Sequence, residues 1–440
     1  MQRDLLKSRL SRLPNLPPLD PPAASEGHDE DDSDEERDAF DLVTAPAVRR
    51  PGTRRRIGAP GSSSSTQYAP LSAEGTFSSA LEVSVRVSSP WADASSSSSS
   101  SSSAREGDAT FRTYYTAPRA DDEAGNGTVF VCVHGAGYSA LSFAELARAL
   151  ARGESDAEGE GGARGRGKGK GRGRVGVLAY DARGHGRTRL PDPDPAASTA
   201  SPPVVDMSLE NLSADLVSLL KTLFPERERA PALVLVGHSM GGAVVADACN
   251  RIQAQVADVT GVAVIDVVEG TALDALPNMA ALIAGHPKSF DSQADAIAWH
   301  VHSRTINNLA SARISVPPLI RPADRHAAGP PGGESEEGPY VWRVALEETE
   351  PYWRGWFTGL SQKFLGCKTA KLLLLAGTDR LDKELLIGQM QGRYQLEVYP
   401  DVGHNVHEDA PARTAETLLN FWERNDRTDV LRGVKKVGER

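Results

Sequence analysis

Short apolar runs alternate with longer amphipathic stretches between residues 81 and 422. The runs are bounded by glycine or polar residues, which is the pattern of strands buried on both faces of a sheet. They predict strands at residues 128–133, 175–180, 233–236, 261–266, 371–375 and 396–399. Two earlier segments, 81–87 and 110–116, alternate apolar and polar residues, so we expect half-buried strands that pair as an antiparallel edge of the sheet.

Helical periodicity fills the segments between these strands. Residues 209–224 carry leucines along one side, at Leu212, Leu216, Leu219, Leu220 and Leu223. Helical patterns also cover residues 272–314 and 411–422. Strands that alternate with helices predict an α/β fold, with a mostly parallel sheet covered on both faces and a helical insertion after the strand that ends at Asp266. Catalytic groups then belong at the carboxyl ends of the strands.

The amino-acid composition identifies segments that cannot form a core and that lie outside the strand and helix pattern. The first 75 residues contain proline-rich, acidic, basic and serine-rich stretches, which predict a disordered tail. A serine run, a Gly-Arg and Gly-Lys repeat, and a Pro/Gly/Glu-rich loop interrupt the rest. We therefore expect a tail over 1–75, one folded domain over 76–425 with disordered insertions near 90–107, 153–174 and 321–339, and a second tail over 426–440.

Charge and cysteine content exclude several classes of function. The formal net charge of −10 argues against a nucleic-acid binder, and the Gly-basic repeat has no aromatic residues for stacking on bases. The cysteines Cys132, Cys249 and Cys367 are too few and too scattered for a disulfide framework or a zinc site. No apolar run reaches about 18 residues, and no signal-peptide core is present. We expect a soluble protein of the cytoplasm or nucleus that does not bind membranes.

The sequence around Ser239 carries the first chemical signal. The apolar run at residues 233–236 leads directly into GHSMG, and a run of small residues follows. This is a G-x-S-x-G nucleophile elbow in the strand–turn–helix setting that the motif needs. Such a turn projects the serine hydroxyl above the sheet edge, and the amide of Met240 points into the same space at a helix N-terminus.

A serine nucleophile needs a base and an acid to orient that base. His404 follows the last predicted strand and is the candidate base, whereas His407 begins the final helical region and is expected to cap or pack. Asp266 and Asp379 each follow a strand, and spacing alone modestly favours Asp379. The order Ser…Asp…His is that of the α/β-hydrolases, so this is the expected fold class.

The glycine-rich turn HGAG at residues 134–137 supplies a candidate oxyanion hole. Two backbone donors must point at one oxygen, and we expect the amides of Ala136 and Met240 to do so. His134 and His185 lie in glycine-rich turns, where a structural hydrogen bond is the expected role. His238 is interpreted as a spacer within the elbow.

Longer motifs make the resemblance more specific. The segments HGAGYSALSF, GHSMGGA, IDVVEGTALDAL, AGTDRLDKELLIGQMQGRYQ and GHNVHEDAP resemble the eukaryotic protein phosphatase methylesterases over about residues 111–422, apart from the insertions. In that family the acid is the aspartate of the IDVVEG segment, which implies Asp266 rather than Asp379.

The resemblance also implies an activity and a partner. Its members remove the methyl ester from the C-terminal leucine of the protein phosphatase 2A catalytic subunit, so that subunit, within its scaffold-bound core enzyme, is the expected partner. Ser239, His404 and Asp266 would perform acyl transfer without a metal or organic cofactor.

Two other functions stay open at this point. The chain could be a different esterase or lipase on the same fold. It could also be a phosphatase-binding inhibitor whose esterase activity is secondary. Demethylation of intact phosphatase would distinguish a methylesterase from another esterase or lipase. Binding of phosphatase by a catalytically inactive variant would test for an inhibitor.

Overall fold

Ten strands are present in the computed structural model, which describes residues 66–88, 90–91, 106–119, 127–152, 175–193, 204–323, 339–377 and 381–425. The strands are β1 Ser79–Ser88, β2 Glu106–Thr116, β3 Thr128–Val133, β4 Gly176–Tyr180, β5 Ala232–His238, β6 Val259–Ile265, β7 Ile320–Pro322, β8 Tyr340–Trp342, β9 Ala370–Ala376 and β10 Gln395–Tyr399.

Eight of these strands form one sheet in the order β1-β2-β4-β3-β5-β6-β9-β10. β1 pairs antiparallel with β2, and β2 pairs antiparallel with β4. All remaining neighbours in the sheet are parallel. The predicted antiparallel edge and the predicted parallel sheet are therefore both confirmed.

Eleven helices surround the sheet within the described ranges. They are α1 Ala144–Arg152, α2 Leu209–Leu223, α3 Met240–Gln255, α4 Glu269–Ala284, α5 Gln293–His302, α6 Leu309–Ser315, α7 Glu350–Phe357, α8 Leu360–Gly366, α9 Lys383–Met390, α10 Val406–Asp409 and α11 Pro411–Asn425. None of them combines the length and the apolar character that a membrane crossing needs.

The centre of the sheet is apolar on both faces. In β3 all six residues are buried; Val129, Val131 and Val133 contribute to one apolar cluster, while Phe130 and Cys132 contribute to the opposite one. Because successive strand residues point to opposite faces, a strand covered on both sides is apolar at most positions, here at all but Thr128. Helices cover both faces, which explains why continuous apolar runs marked the central strands.

The segment between β6 and β9 is the predicted insertion. It contains α4 to α8, and it also contains the β7–β8 hairpin, which the sequence pattern did not predict. Each strand of that hairpin has only three residues, too short for a periodic pattern to emerge. Phe290, Ile297, Ile320 and Tyr340 belong to a separate apolar cluster within this insertion.

The described structure begins at residue 66, before the predicted domain boundary at residue 76. Leu71 donates its amide to the Arg313 carbonyl (2.8 Å), and Arg313 Nε donates to the Ala69 carbonyl (2.6 Å), so this segment packs on α6. Of the predicted tails, 1–75 and 426–440, residues 1–65 and 426–440 lie outside the described residues. Of the predicted insertions near 90–107, 153–174 and 321–339, residues 92–105, 153–174 and 324–338 lie outside them as well.

A buried ion pair holds the turn that follows β4. Arg183 donates from Nε and Nη2 to the two carboxylate oxygens of Asp215 on α2, at 2.6 and 2.7 Å. Arg183 also donates to the Asp206 carbonyl at 2.9 Å. Both charged groups are buried, so each depends on the other for compensation. The bidentate geometry fixes the orientation of the turn.

The junction of β5 and α3 leaves no room for a side chain at Gly241. A Cβ there would lie 2.1 Å from the Val133 carbonyl oxygen, which belongs to a sheet strand and cannot move aside. We expect Gly241→Ala to lower the free energy of unfolding by about 3 kcal/mol, the upper end for an overpacked site. Thermal unfolding followed by circular dichroism measures this change.

Gly355 on α7 provides the matched control. It is exposed, and a Cβ at this position would meet no atom within 4 Å. Gly355→Ala should therefore raise the free energy of unfolding by about 0.5–1 kcal/mol, because alanine loses less conformational entropy in a helix. Equal effects of the two substitutions would contradict the packing described at Gly241.

Candidate active site

Ser239 lies at the sharp turn between β5 and α3. Its backbone has φ 52° and ψ −120°, a region that residues other than glycine rarely occupy. The turn is held by hydrogen bonds from the Ser239 amide to the Ile265 carbonyl (3.0 Å) and from the Gly242 amide to the Ser239 carbonyl (2.8 Å). The motif glycines Gly237 and Gly241 are required by close backbone approach, since a Cβ at either would overlap main-chain atoms. The predicted elbow geometry is therefore present.

Asp266 is held by main-chain contacts at the end of β6. Its backbone also has a positive φ, 51°, and its amide donates to the Leu374 carbonyl at 2.7 Å. The carboxylate oxygen Oδ1 accepts the Ala376 amide at 2.6 Å. The side chain is therefore anchored to β9 and is only 5% exposed.

The second oxygen of Asp266 contacts His404. Nδ1 of His404 donates to Oδ2 at 2.6 Å. With Nδ1 protonated, the neutral imidazole has its lone pair on Nε2, which is the tautomer a general base requires. Of the two acids that spacing left open, Asp266 makes this contact, and Asp379 lies outside the described residues.

His238 holds the main chain of His404. Its Nε2 donates to the His404 carbonyl at 2.9 Å, and the two ring centroids are 4.6 Å apart. Burial, followed by the nearby His404 and His407 rings, lowers the pKa of His238 well below its usual value, so this ring stays neutral. The spacer interpretation missed this contact. A polar ring at the end of a fully buried strand was the available signal.

His407 packs as expected. Its ring stacks on Phe143 with centroids 4.3 Å apart, and it is fully buried. Burial lowers the pKa of His407 to about 3. The ring is therefore neutral at ordinary pH and adds no positive charge beside His404.

The turn at residues 134–137 lies against Ser239. A Cβ at Gly135 would be 3.2 Å from the Ser239 Cβ, so the turn approaches the serine closely. The amide of Gly137 donates to His185 Nε2 at 2.9 Å and is already used. No acceptor is found for the Ala136 amide among the described residues. The Met240 amide is the first of α3 and has no partner within the helix. The two predicted oxyanion donors are thus both adjacent to Ser239 in the fold.

Two buried histidines support that turn, as predicted for them. His134 Nδ1 donates to the Gly135 carbonyl (2.8 Å), and its Nε2 accepts the Ala182 amide (3.0 Å). His185 Nδ1 donates to the Arg183 carbonyl at 2.9 Å. Burial lowers the pKa to about 4 for His134 and to about 3 for His185, so both act as neutral hydrogen-bonding groups.

Metal ligands are not assembled in this part of the molecule. Within the described ranges, no group of three or more His, Cys, Asp or Glu side chains has the arrangement of a metal site. Cys132, Cys249 and Cys367 are all buried and free. The arrangement can perform nucleophilic acyl transfer with side chains and backbone amides alone.

The Asp266–His404 contact generates a test of the acid. We expect Asp266→Asn to lower kcat by about 10⁴-fold, as the same change does in a serine protease, because the amide imposes the wrong imidazole tautomer. The melting temperature should change little, since asparagine can still accept the Ala376 amide. Asp379→Asn, measured in parallel below both melting temperatures, should cost far less in kcat. The reverse ranking would assign the acid role to Asp379.

Glu408, on α10, is another titratable residue near the candidate active site. It is fully buried, and burial together with the neighbouring Asp409 raises the pKa of Glu408 to about 8. A raised pKa means that the protonated form is favoured by folding. Its contribution to stability is complete below the glutamate pKa of the unfolded chain and is lost as the pH rises through about 8.

Glu408→Gln should therefore remove a pH-dependent loss of stability. In the wild type, ionisation of Glu408 should lower the free energy of unfolding by about 1.4 kcal/mol per pH unit between roughly pH 5 and pH 8. The variant should lack that slope. Urea unfolding at several pH values measures the difference. Glu348→Gln, at an exposed position in the insertion between β6 and β9, is the control and should keep the wild-type slope. Parallel slopes in all three proteins would show that Glu408 is ionised in the fold.

Comparison with known proteins supplies a family context for this geometry. The model of the alpha/beta hydrolase family matches residues 130–417. A protein phosphatase methylesterase 1 from Cryptococcus neoformans is 41% identical, covering 97% of this chain and 93% of that protein. A protein phosphatase methylesterase 1 from Aspergillus fumigatus is 38% identical, covering 98% of this chain and 90% of that protein.

Solved structures agree on the fold. A peroxisomal alpha-beta-hydrolase from Saccharomyces cerevisiae matches with a TM-score of 0.53 and 15% identity, covering 82% of this chain and 93% of that one. E-2-(acetamidomethylene)succinate hydrolase matches with a TM-score of 0.50 and 18% identity, covering 78% of this chain and 99% of that one. At such identities the likeness concerns the architecture alone.

Proposed function

From the premise that this chain belongs to the protein phosphatase methylesterases, within the α/β-hydrolase family, we propose that it demethylates the C-terminal leucine of the protein phosphatase 2A catalytic subunit. The predicted family and the predicted class of enzyme, a carboxylic ester hydrolase, are confirmed by the relatives. The names of those relatives specify a protein phosphatase as the substrate. The particular subunit, its scaffold-bound core enzyme and a cytoplasmic or nuclear location are part of the proposal.

The single observation that carries the chemistry is the 2.6 Å contact between His404 Nδ1 and Asp266 Oδ2, made beside the strained elbow at Ser239. A carboxylate on Nδ1 leaves Nε2 as the basic nitrogen. The elbow presents one serine at the same sheet edge, because β5, β6 and β9 are parallel neighbours and end there together.

The first half of the reaction forms an acyl-enzyme. Ser239 Oγ attacks the ester carbonyl carbon while His404 Nε2 accepts its proton. The amides of Ala136 and Met240 donate to the oxygen that becomes negative. The tetrahedral intermediate then expels the methoxy group, which takes the proton from His404 and leaves as methanol.

The second half releases the leucine carboxylate. Water attacks the acyl carbon, His404 accepts its proton, and the same proton returns to Ser239 Oγ as the acyl bond breaks. Asp266 orients the imidazole throughout and stabilises its positively charged form. His238 and His407 are buried and neutral, so neither places a second positive charge beside the His404 imidazolium. A fixed cation there would disfavour proton transfer to His404.

A phosphatase-binding inhibitor is the second candidate for the same protein. It is favoured only by the insertion between β6 and β9, which offers surface beyond what ester hydrolysis needs. Binding and catalysis can occur together, so an inactive variant must be tested for both.

Ser239→Ala tests the proposal directly. We expect it to abolish release of methanol from methylated phosphatase, because no other nucleophile occupies the elbow, and to abolish labelling by a fluorophosphonate probe. Ser218→Ala on α2 is the matched control and should keep both. Pull-down of methylated phosphatase should succeed with either variant. Persistent labelling of Ser239→Ala would refute the nucleophile, and wild-type protein that hydrolyses only small esters would refute the phosphatase substrate.

A further inference from the structure

A cavity of about 530 Å³ is lined by none of the residues that the chemistry described above uses. Its walls come from residues 71–80, β2, the turn after β4 and the β7–β8 hairpin. Apolar side chains such as Phe77 and Leu141 line part of it. Three arginines, Arg112, Arg187 and Arg343, line it as well.

These arginines are distant in sequence but converge in the fold. Arg112 is in β2, and its carbonyl accepts the Asp181 amide at 2.9 Å, so Arg112 lies level with the end of β4. Arg187 belongs to the turn after β4. Arg343 follows β8, and its amide donates to the Leu319 carbonyl at 2.9 Å. Burial and the positive charges of Arg187 and Arg321 lower the pKa of Arg343, as expected where like charges gather.

Two of the three guanidinium groups have an unused donor. Nε of Arg112 and Nε of Arg343 are both buried without a hydrogen-bond acceptor in the described part of the chain. An unpaired buried donor of a charged group is costly, so an acceptor is expected to fill the space. The Arg112 guanidinium also lies 5.1 Å from the ring centroid of Tyr114, which restricts its orientation.

Nearby carboxylates offset only part of this positive charge. Asp181 interacts with Arg112 and Arg343 through its charge, but its oxygens are used by main-chain amides, Oδ1 by that of Ala140 and Oδ2 by that of Arg187, both at 2.8 Å. Glu82 interacts with Arg112 and Arg187 at longer range but forms its ion pair with Arg189, at 2.6 Å. Glu74, on the exposed wall of the cavity, makes no ion pair among the described residues. The cavity therefore has an excess of positive charge.

The cavity shares its framework with the candidate oxyanion turn. Gly137 donates to His185 in the turn that carries Arg187, and Leu346, three residues after Arg343, lies against Gly137. Asp181 bridges the same turn to Ala140, the residue before Leu141. Arg187 also follows the carboxyl end of β4, the sheet edge at which Ser239 and Asp266 lie. A peptide with its terminal ester at Ser239 could extend into this cavity.

We propose that this arginine cavity is a subsite that binds an acidic side chain of the substrate polypeptide, near its methylated C-terminus. The inference rests on the proposed function, since it assumes a peptide ester at Ser239. Guanidinium forks bind carboxylates and phosphates through paired, charge-assisted hydrogen bonds. Here Arg112 and Arg343 are partly buried, and the exposed Arg187 lies at the same cavity. The apolar walls would hold the stem of the bound side chain.

The test uses short peptides that end in leucine methyl ester. A single Glu is moved one position at a time through the residues before the leucine, and each peptide has a partner with Gln. At one position we expect kcat/KM for Glu to exceed that for Gln by about tenfold or more, the range of a charged hydrogen bond. Arg187→Ala and Arg343→Gln should each bring the ratio close to one.

Arg189→Ala is the matched control. It removes the same charge two residues from Arg187, at an exposed position that does not line the cavity. The Glu-to-Gln ratio should be kept in this variant. A ratio near one at every position in the wild type, or a ratio that survives Arg187→Ala and Arg343→Gln, would overturn the proposal.

Two further measurements test the subsite independently of ester hydrolysis and distinguish peptide binding from the binding of a small free anion. Binding of the same peptides to Ser239→Ala, measured by calorimetry, reports recognition without turnover. A Glu preference there that needs the arginines supports the subsite even if no ester is hydrolysed, and no binding by any peptide overturns it. If inorganic phosphate raises the melting temperature through Arg187 and Arg343 while the peptides show no Glu preference, the cavity holds small anions and the proposal is wrong.

Discussion

The hydrogen bond from His404 Nδ1 to Asp266 Oδ2 joins loops that are 138 residues apart in the chain. It forms because β6, β9 and β10 are parallel neighbours whose carboxyl ends meet at one edge of the sheet, with Asp266 after β6 and His404 after β10. Asp266 reaches it through a positive-φ backbone, and the Ala376 amide on β9 holds its other oxygen. The sheet therefore positions the acid, and the acid positions the base.

Buried histidines form the framework around this pair. His238 donates to the main chain of His404, while His134 and His185 hold the candidate oxyanion turn. Burial lowers the pKa of all three, so each ring is neutral; His134 and His185 each donate one hydrogen bond and accept another, whereas His238 donates to His404. An imidazole can make two hydrogen bonds in different directions without adding charge. That property suits a site in which the only histidine expected to become charged is His404.

The insertion between β6 and β9 supplies the walls beyond the catalytic centre. Its β7–β8 hairpin and the following residues bring Arg343 and Leu346 against the turns after β3 and β4. Solved structures that are only 15–18% identical share the sheet architecture, whereas Arg343, Tyr340 and other residues of the insertion line the arginine cavity.

Local patterns were sufficient for the strands, the elbow and the fold class, because strand and helix periodicity and the G-x-S-x-G motif are short-range features of the chain. The reason that residue 241 must be glycine, its close approach to the Val133 carbonyl, is visible only in the fold. Family motifs, rather than spacing, pointed to Asp266, and its contact with His404 depends on strand order. The β7–β8 hairpin and the cavity shared by Arg112 and Arg343 left no local signal, and the buried strand before His238 gave no indication of the residue that its ring would contact. Each arises between segments far apart in the chain, where only the folded sheet decides which side chains become neighbours.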